Sequence, residues 1–230
     1  MAEDEKKITL GRSGANDAER SLGRVAIDLW GGEPASTQPI PPETSYQSTF
    51  PPFEQLWKVA DETVDWTDAL VKPRCDDGLT SQRLWQFFHE NAQAVLSGDL
   101  ATYLRVLQTA NPLGDLRPYA SRIEASADSA DRLSACYEVH PAYIGGDATS
   151  QRRYLSGMAL RIARDLMALL PVTEVAVSAK RADALLLSVT FTRAQMQKVR
   201  FRFIDPVAFV QECGGAFGSR EPQHSDRAAD

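Results

Sequence analysis

The chain has 230 residues, 43% hydrophobic, 24% charged and 8% aromatic, with a formal net charge of −6. That is a globular composition, with apolar material for one good core or two small ones, and it excludes collagen-like, coiled-coil and disulfide-stapled classes. The best apolar run, residues 184–189, is strand-sized and far below the roughly 18–20 residues of a membrane span, so no membrane partner is expected.

The first ten residues are charged where a secretory signal needs a long apolar stretch. Cys75, Cys136 and Cys213 are odd in number and far apart, which suits a reducing compartment. The expected localisation is cytoplasmic.

Residues 1–50 read as a disordered or loosely docked tail. Pro34, Pro39, Pro41 and Pro42 punctuate a polar stretch with too little apolar surface to offset about 1–2 kcal/mol per residue of backbone ordering. One apolar island, Val25 to Trp30, is expected to dock on the body. Residues 51–116 read as a helical subdomain. Phe53, Leu56, Trp57, Val64 and Trp66 fit a helical period above a wet face of acids. Thr80 or Ser81 can cap a second helix through Leu84, Trp85, Phe88, Ala92, Val95 and Leu96, ended by Gly98. Asp99 can cap a third, stopped by Asn111-Pro112.

Residues 117–213 change period. Two short alternating runs, 121–127 and 133–139, flank a turn at 128–131 and read as a hairpin. A long helix is predicted from Thr149 to Leu170, with Tyr154, Leu155, Met158, Ile162, Leu166 and Leu169 on one stripe and Pro171 as its stop. Two more strands, 174–179 and 185–191, follow. Thr192 is a possible N-cap, residues 197–204 fit helix and strand equally, and Asp205-Pro206 opens a last short helix. The expected fold is α+β: helices first, then a ββαββ layer with one long helix on an antiparallel sheet. Residues 214–230 read as a flexible tail.

The net charge hides a split. Residues 51–147 hold 8 basic and 15 acidic residues, while 148–204 hold 10 basic and 3 acidic. The ten are Arg152, Arg153, Arg161, Arg164, Lys180, Arg181, Arg193, Lys198, Arg200 and Arg202, with the helical arginines placed on a wet face. They are the candidate nucleic-acid contacts, but pairing with the acidic half, within or between chains, explains them as well.

Motifs for chemistry are missing. No Cys/His cluster has metal-ligand spacing, no G-x-S-x-G turn occurs, and residues 145–150 lack the lysine of a phosphate loop. Glu174 and Lys180 are six apart, unlike the acid-x-lysine of a magnesium-dependent nuclease. No catalytic residue, metal or cofactor is expected, and His89 reads as a surface residue.

The run Tyr154 to Arg161 through Leu170-Pro171, then Val175–Ser178, Leu187–Arg193 and Ile204-Asp205-Pro206, resembles an uncharacterised α+β module of bacterial, often actinobacterial, proteins. Some of these also carry a restriction-endonuclease-like domain. The resemblance spans about residues 125–213 and implies an accessory module from DNA-associated or defence-like contexts, with no catalytic residue. The expected function is a non-catalytic binding or accessory protein acting by self-association or on a protein partner. The alternatives are a nucleic-acid-associated factor using residues 148–204 and an enzyme whose site is assembled from distant residues.

Overall fold

The computed structural model describes residues 26–29, 53–74 and 80–218. A short strand β1 (Ala26–Asp28) and a 3-10 helix (Phe53–Lys58) precede three helices, α1 (Trp66–Val71), α2 (Gln82–Leu96) and α3 (Leu100–Ala110). The hairpin β2 (Ala120–Ser129) and β3 (Arg132–Val139) leads into the 22-residue helix α4 (Ala148–Leu169). A second hairpin, β4 (Glu174–Arg181) and β5 (Ala184–Thr192), is followed by α5 (Arg193–Gln197), α6 (Pro206–Glu212) and β6 (Ala216–Phe217).

The fold is α+β. Six strands form one sheet in the order β1-β2-β3-β4-β5-β6. The sheet is mixed rather than antiparallel as expected, because β3 and β4 run parallel, Leu133 opposite Val175 and Tyr137 opposite Ala179. The reason is the connection. A strand joined to its neighbour by a helix returns in the same direction, whereas the tight turns at 130–131 and 182–183 reverse the chain. Ala182 takes φ +48°, the left-handed backbone that favours a two-residue hairpin turn.

Local chemistry sets the helix ends. Ser81 Oγ accepts from Leu84 N (3.3 Å), Asp99 from Thr102 N (2.9 Å), Asp147 from Thr149 N and Ser150 N (2.8 and 3.0 Å), and Asp205 from Val207 N (2.8 Å). Thr192 and Gln195 form a reciprocal capping box over α5. Residues 198–204 then run as turns, neither helix nor strand.

The helix expected across 53–66 is divided instead into the 3-10 helix and α1, with non-helical backbone between them. Long-range bonds to α4 override the local period: Val64 N donates to Ala168 O (2.9 Å), and Asp61 N to Asp165 Oδ1 (3.1 Å). Gly157 permits this close approach, since a Cβ there would lie 2.9 Å from Trp57 Cε3.

The expected stripe on α4 widens into almost complete burial. Leu155, Met158, Ile162 and Leu166 are buried, as are Val175, Val177, Leu187 and Val189 of the sheet, in one hydrophobic cluster that also takes in Trp57, Phe88 and Val106 of the helical half. Tyr137 Oη donates to Leu155 O (2.8 Å), and Tyr154 Oη to Tyr119 O, so the helix is also pinned by buried hydroxyls.

Two stretches read as tails contribute strands. β1 pairs antiparallel with β2, Ile27 opposite Ala125, and Leu29 is buried, so this part of the island between Val25 and Trp30 docks on the body. β6 pairs with β5, Phe217 opposite Leu187. Residues 1–25, 30–50 and 219–230 of these tails lie outside the described residues.

Candidate functional site

Among the described residues, a concentrated charge cluster surrounds Arg161, on the fourth turn of α4. Sequence periodicity placed it on a wet face; it is instead 2% exposed. Its Nε donates to Asp165 Oδ2, and its Nη2 lies 3.0 Å from Asp115 Oδ2 and 3.8 Å from Asp61 Oδ1. Segments far apart in sequence thus meet on one guanidinium: the loop before α1, the 3-10 turn at Gly114–Leu116, and α4. The physical reason is that the 53–64 segment lies over α4 and covers the face that a solitary amphipathic helix would leave wet.

Three carboxylates share one cation, so full ionisation would leave two negative charges in excess. Burial pushes the Asp165 carboxyl up to about 7, against the opposing pull of Arg161. Asp61 is also raised, by desolvation first, with Asp115 adding repulsion and Arg161 opposing. The cluster holds its extra proton most readily on Asp165, the most deeply buried of the three.

Two further arginines of the candidate set serve the fold. Arg164 donates to Trp57 O and, at 3.3 Å, to Val59 O, and its guanidinium lies 4.0 Å from the ring centroid of Phe201. Arg193 donates to Met167 O (2.7 Å), Leu170 O (2.8 Å) and Val172 O (2.9 Å), satisfying carbonyls at and beyond the end of α4. Arg152 and Arg153 are exposed, yet their guanidinium groups lie over the rings of Phe217 (5.4 Å) and Trp57 (5.2 Å).

The exposed remainder divides between two places. Lys180 and Arg181 sit at the β4–β5 turn, whereas Lys198, Arg200 and Arg202 lie on the turns between α5 and α6. Lys198 and Arg200 border an open recess of about 360 Å³, whose lining includes Val199, Ile204 and Phe209 and, from the acidic side, Asp205 and Glu212. Phe203 stands on its rim at 78% exposure, the largest exposure among the large hydrophobic residues described. A second open recess, about 330 Å³, lies between α1 and the end of α4 and includes Trp66, Leu170 and Arg193.

The histidines are engaged locally. His89, half-buried rather than on the surface, has Nδ1 2.7 Å from Ala69 O, and His140 Nδ1 accepts from Ala142 N at 3.2 Å. Burial and the neighbouring Glu212 push the Cys213 thiol up, the opposite of what activates a nucleophile. Among the described residues, no three His, Cys, Asp or Glu side chains gather as a metal would require, and no helix is long and apolar enough to cross a membrane. Cys75 and His224 lie outside those residues.

The Arg161 cluster carries a sequence signal that periodicity alone passes over. Asp165 is one of only three acids between 148 and 204, and it stands four residues after Arg161 amid Leu160, Ile162, Ala163 and Leu166. A charged i,i+4 pair enclosed by apolar residues marks a buried pair as readily as a solvated one. No known protein family, curated protein or solved structure matches this chain.

Proposed function

We propose that this protein is a non-catalytic binding or accessory module that works through contacts with protein, a second copy of itself or another chain. The observation that supports this reading is the internal use of the basic segment. Arg161 pairs with Asp165 of its own helix and with Asp115 and Asp61 of the acidic 51–147 half, and Arg164 and Arg193 are committed to backbone carbonyls. The charge split is thereby a fold-building device before it is a binding surface. The likeness of residues 125–213 to an accessory α+β module belongs to the same proposal, as does a cytoplasmic setting.

A nucleic-acid role would instead draw on the exposed Lys198, Arg200 and Arg202. Fluorescence anisotropy with labelled duplex and single-stranded DNA, at low and physiological salt, tests the choice. The expected result is weak binding without sequence preference. Sub-micromolar binding with a steep salt slope, about −0.9 per phosphate contact on duplex, that flattens in R200Q/R202Q would overturn the protein-contact reading.

A further inference from the structure

We infer that the recess between the 198–204 turns and α6 is a twofold contact surface whose occupant is a second copy of this chain. The inference rests on the protein-contact reading above and names the surface and the partner. Three observations carry it. First, a projection and a hollow occur on one patch. Phe203 is 78% exposed and borders a recess floored by Val199, Ile204 and Phe209. At about 360 Å³ that recess lies within the range of roughly 300–1,000 Å³ that holds small ligands, ample for one aromatic ring.

Second, both signs of charge border the same recess: Lys198 and Arg200 from the turns, Glu212 from α6. A patch that carries its own projection, its own hollow and both charges is self-complementary. A twofold axis through it seats each Phe203 in the partner's recess and sets cations of one copy against Glu212 of the other. A partner of single charge sign would leave one side of the rim opposed by like charge.

Third, the patch is firmly backed. Phe209 stacks on Phe191 of β5 (centroids 6.2 Å) and meets Phe201 edge-on (6.3 Å), while the Arg164 guanidinium lies 4.0 Å from the Phe201 ring centroid. The hollow is therefore preorganised, and docking need not order it. A contact built on so short a stretch is smaller than the roughly 800 Å² per partner of a standard interface, so the dimer is expected to be weak and concentration-dependent.

Sedimentation equilibrium of the whole protein, from about 10 µM to about 1 mM, reads the result directly. The expected mass climbs from one chain toward two and stops there. F203S should remain monomeric over that range with an unchanged melting temperature, since an exposed ring contributes little to the fold. R200E should weaken the dimer, and R200E/E212R should restore it. A wild-type protein monomeric throughout, a mass passing beyond two chains, or a dimer indifferent to F203S overturns the twofold contact. A monomer that binds no DNA would do so while leaving docking on another protein standing. A monomer that instead binds labelled single-stranded DNA through Phe203 overturns both.

Discussion

Arg161 and Asp165 face each other one helical turn apart on α4, at 2% and 0% side-chain exposure. Breaking a buried pair leaves an uncompensated charge, which costs about 3–5 kcal/mol. Arg161→Ala should therefore destabilise the protein by about that amount in urea melts, since Asp61, Asp115 and Asp165 would lose their shared cation. Asp165→Asn should cost far less, because the amide resembles the protonated carboxyl that burial favours at this position. Equal losses in the two variants would mean that Asp165 is fully ionised.

The same cluster sets a pH dependence. The folded-state Asp165 carboxyl, raised to about 7, binds its proton more tightly than the unfolded chain, whose value is near 3.8. The folded state therefore holds more protons between these limits, and stability falls as pH rises through that window. The urea midpoint should be higher at pH 5 than at pH 8. Asp165→Asn should reduce that difference; Asp61, shifted in the same direction, accounts for a residue of it. A midpoint that rises with pH over the same range would reverse the assignment.

Arg193 closes α4 from outside the helix. Its three carbonyl contacts, all between 2.7 and 2.9 Å, satisfy acceptors at Met167, Leu170 and Val172. Hydrogen bonds to a charged group contribute about 1.5–3 kcal/mol, so Arg193→Ala should lower stability by an amount of that order. Lysine supplies charge but lacks the planar fork, and Arg193→Lys should recover only part of the loss in calorimetry. Full recovery would mean that charge near the helix end, rather than the fork geometry, is what matters.

Gly157 reports on the contact between α4 and the 3-10 helix. Alanine there gains up to about 1 kcal/mol of helix propensity but drives its methyl to 2.9 Å from Trp57 Cε3. Overpacking of this kind costs about 1–3 kcal/mol, so the net effect of Gly157→Ala should be destabilising and accompanied by altered Trp57 emission. A stabilised variant would show that the 53–58 segment yields easily.

The residues that start and stop elements were readable in the sequence because their chemistry is local. Ser81, Asp99, Thr192 and Asp205 each cap the helix they precede, and the apolar stripe from Leu155 to Leu166 meets the sheet. What the sequence hid was non-local. The parallel β3–β4 pairing depends on where α4 returns the chain, and the division of 53–71 depends on bonds to α4 about a hundred residues away. The candidate site suffered in the same way. Spacing put Arg161 on an outer face, correctly for an isolated helix, but the 53–64 segment covers that face.

The parallel seam between β3 and β4 has a consequence for how the chain assembles. On either side of it, each hairpin closes through a turn of two residues, a local event on the microsecond scale. The seam joins residues about forty positions apart, Arg132 with Glu174 and Tyr137 with Ala179, and it forms only once α4 has bridged the two halves. Among the four central strands, loop-closure entropy thus falls on this one line, while β1, which pairs with β2 about a hundred residues on, adds a longer closure at the sheet edge. The two hairpins are local parts, and the middle of the sheet exists only where they are stitched together.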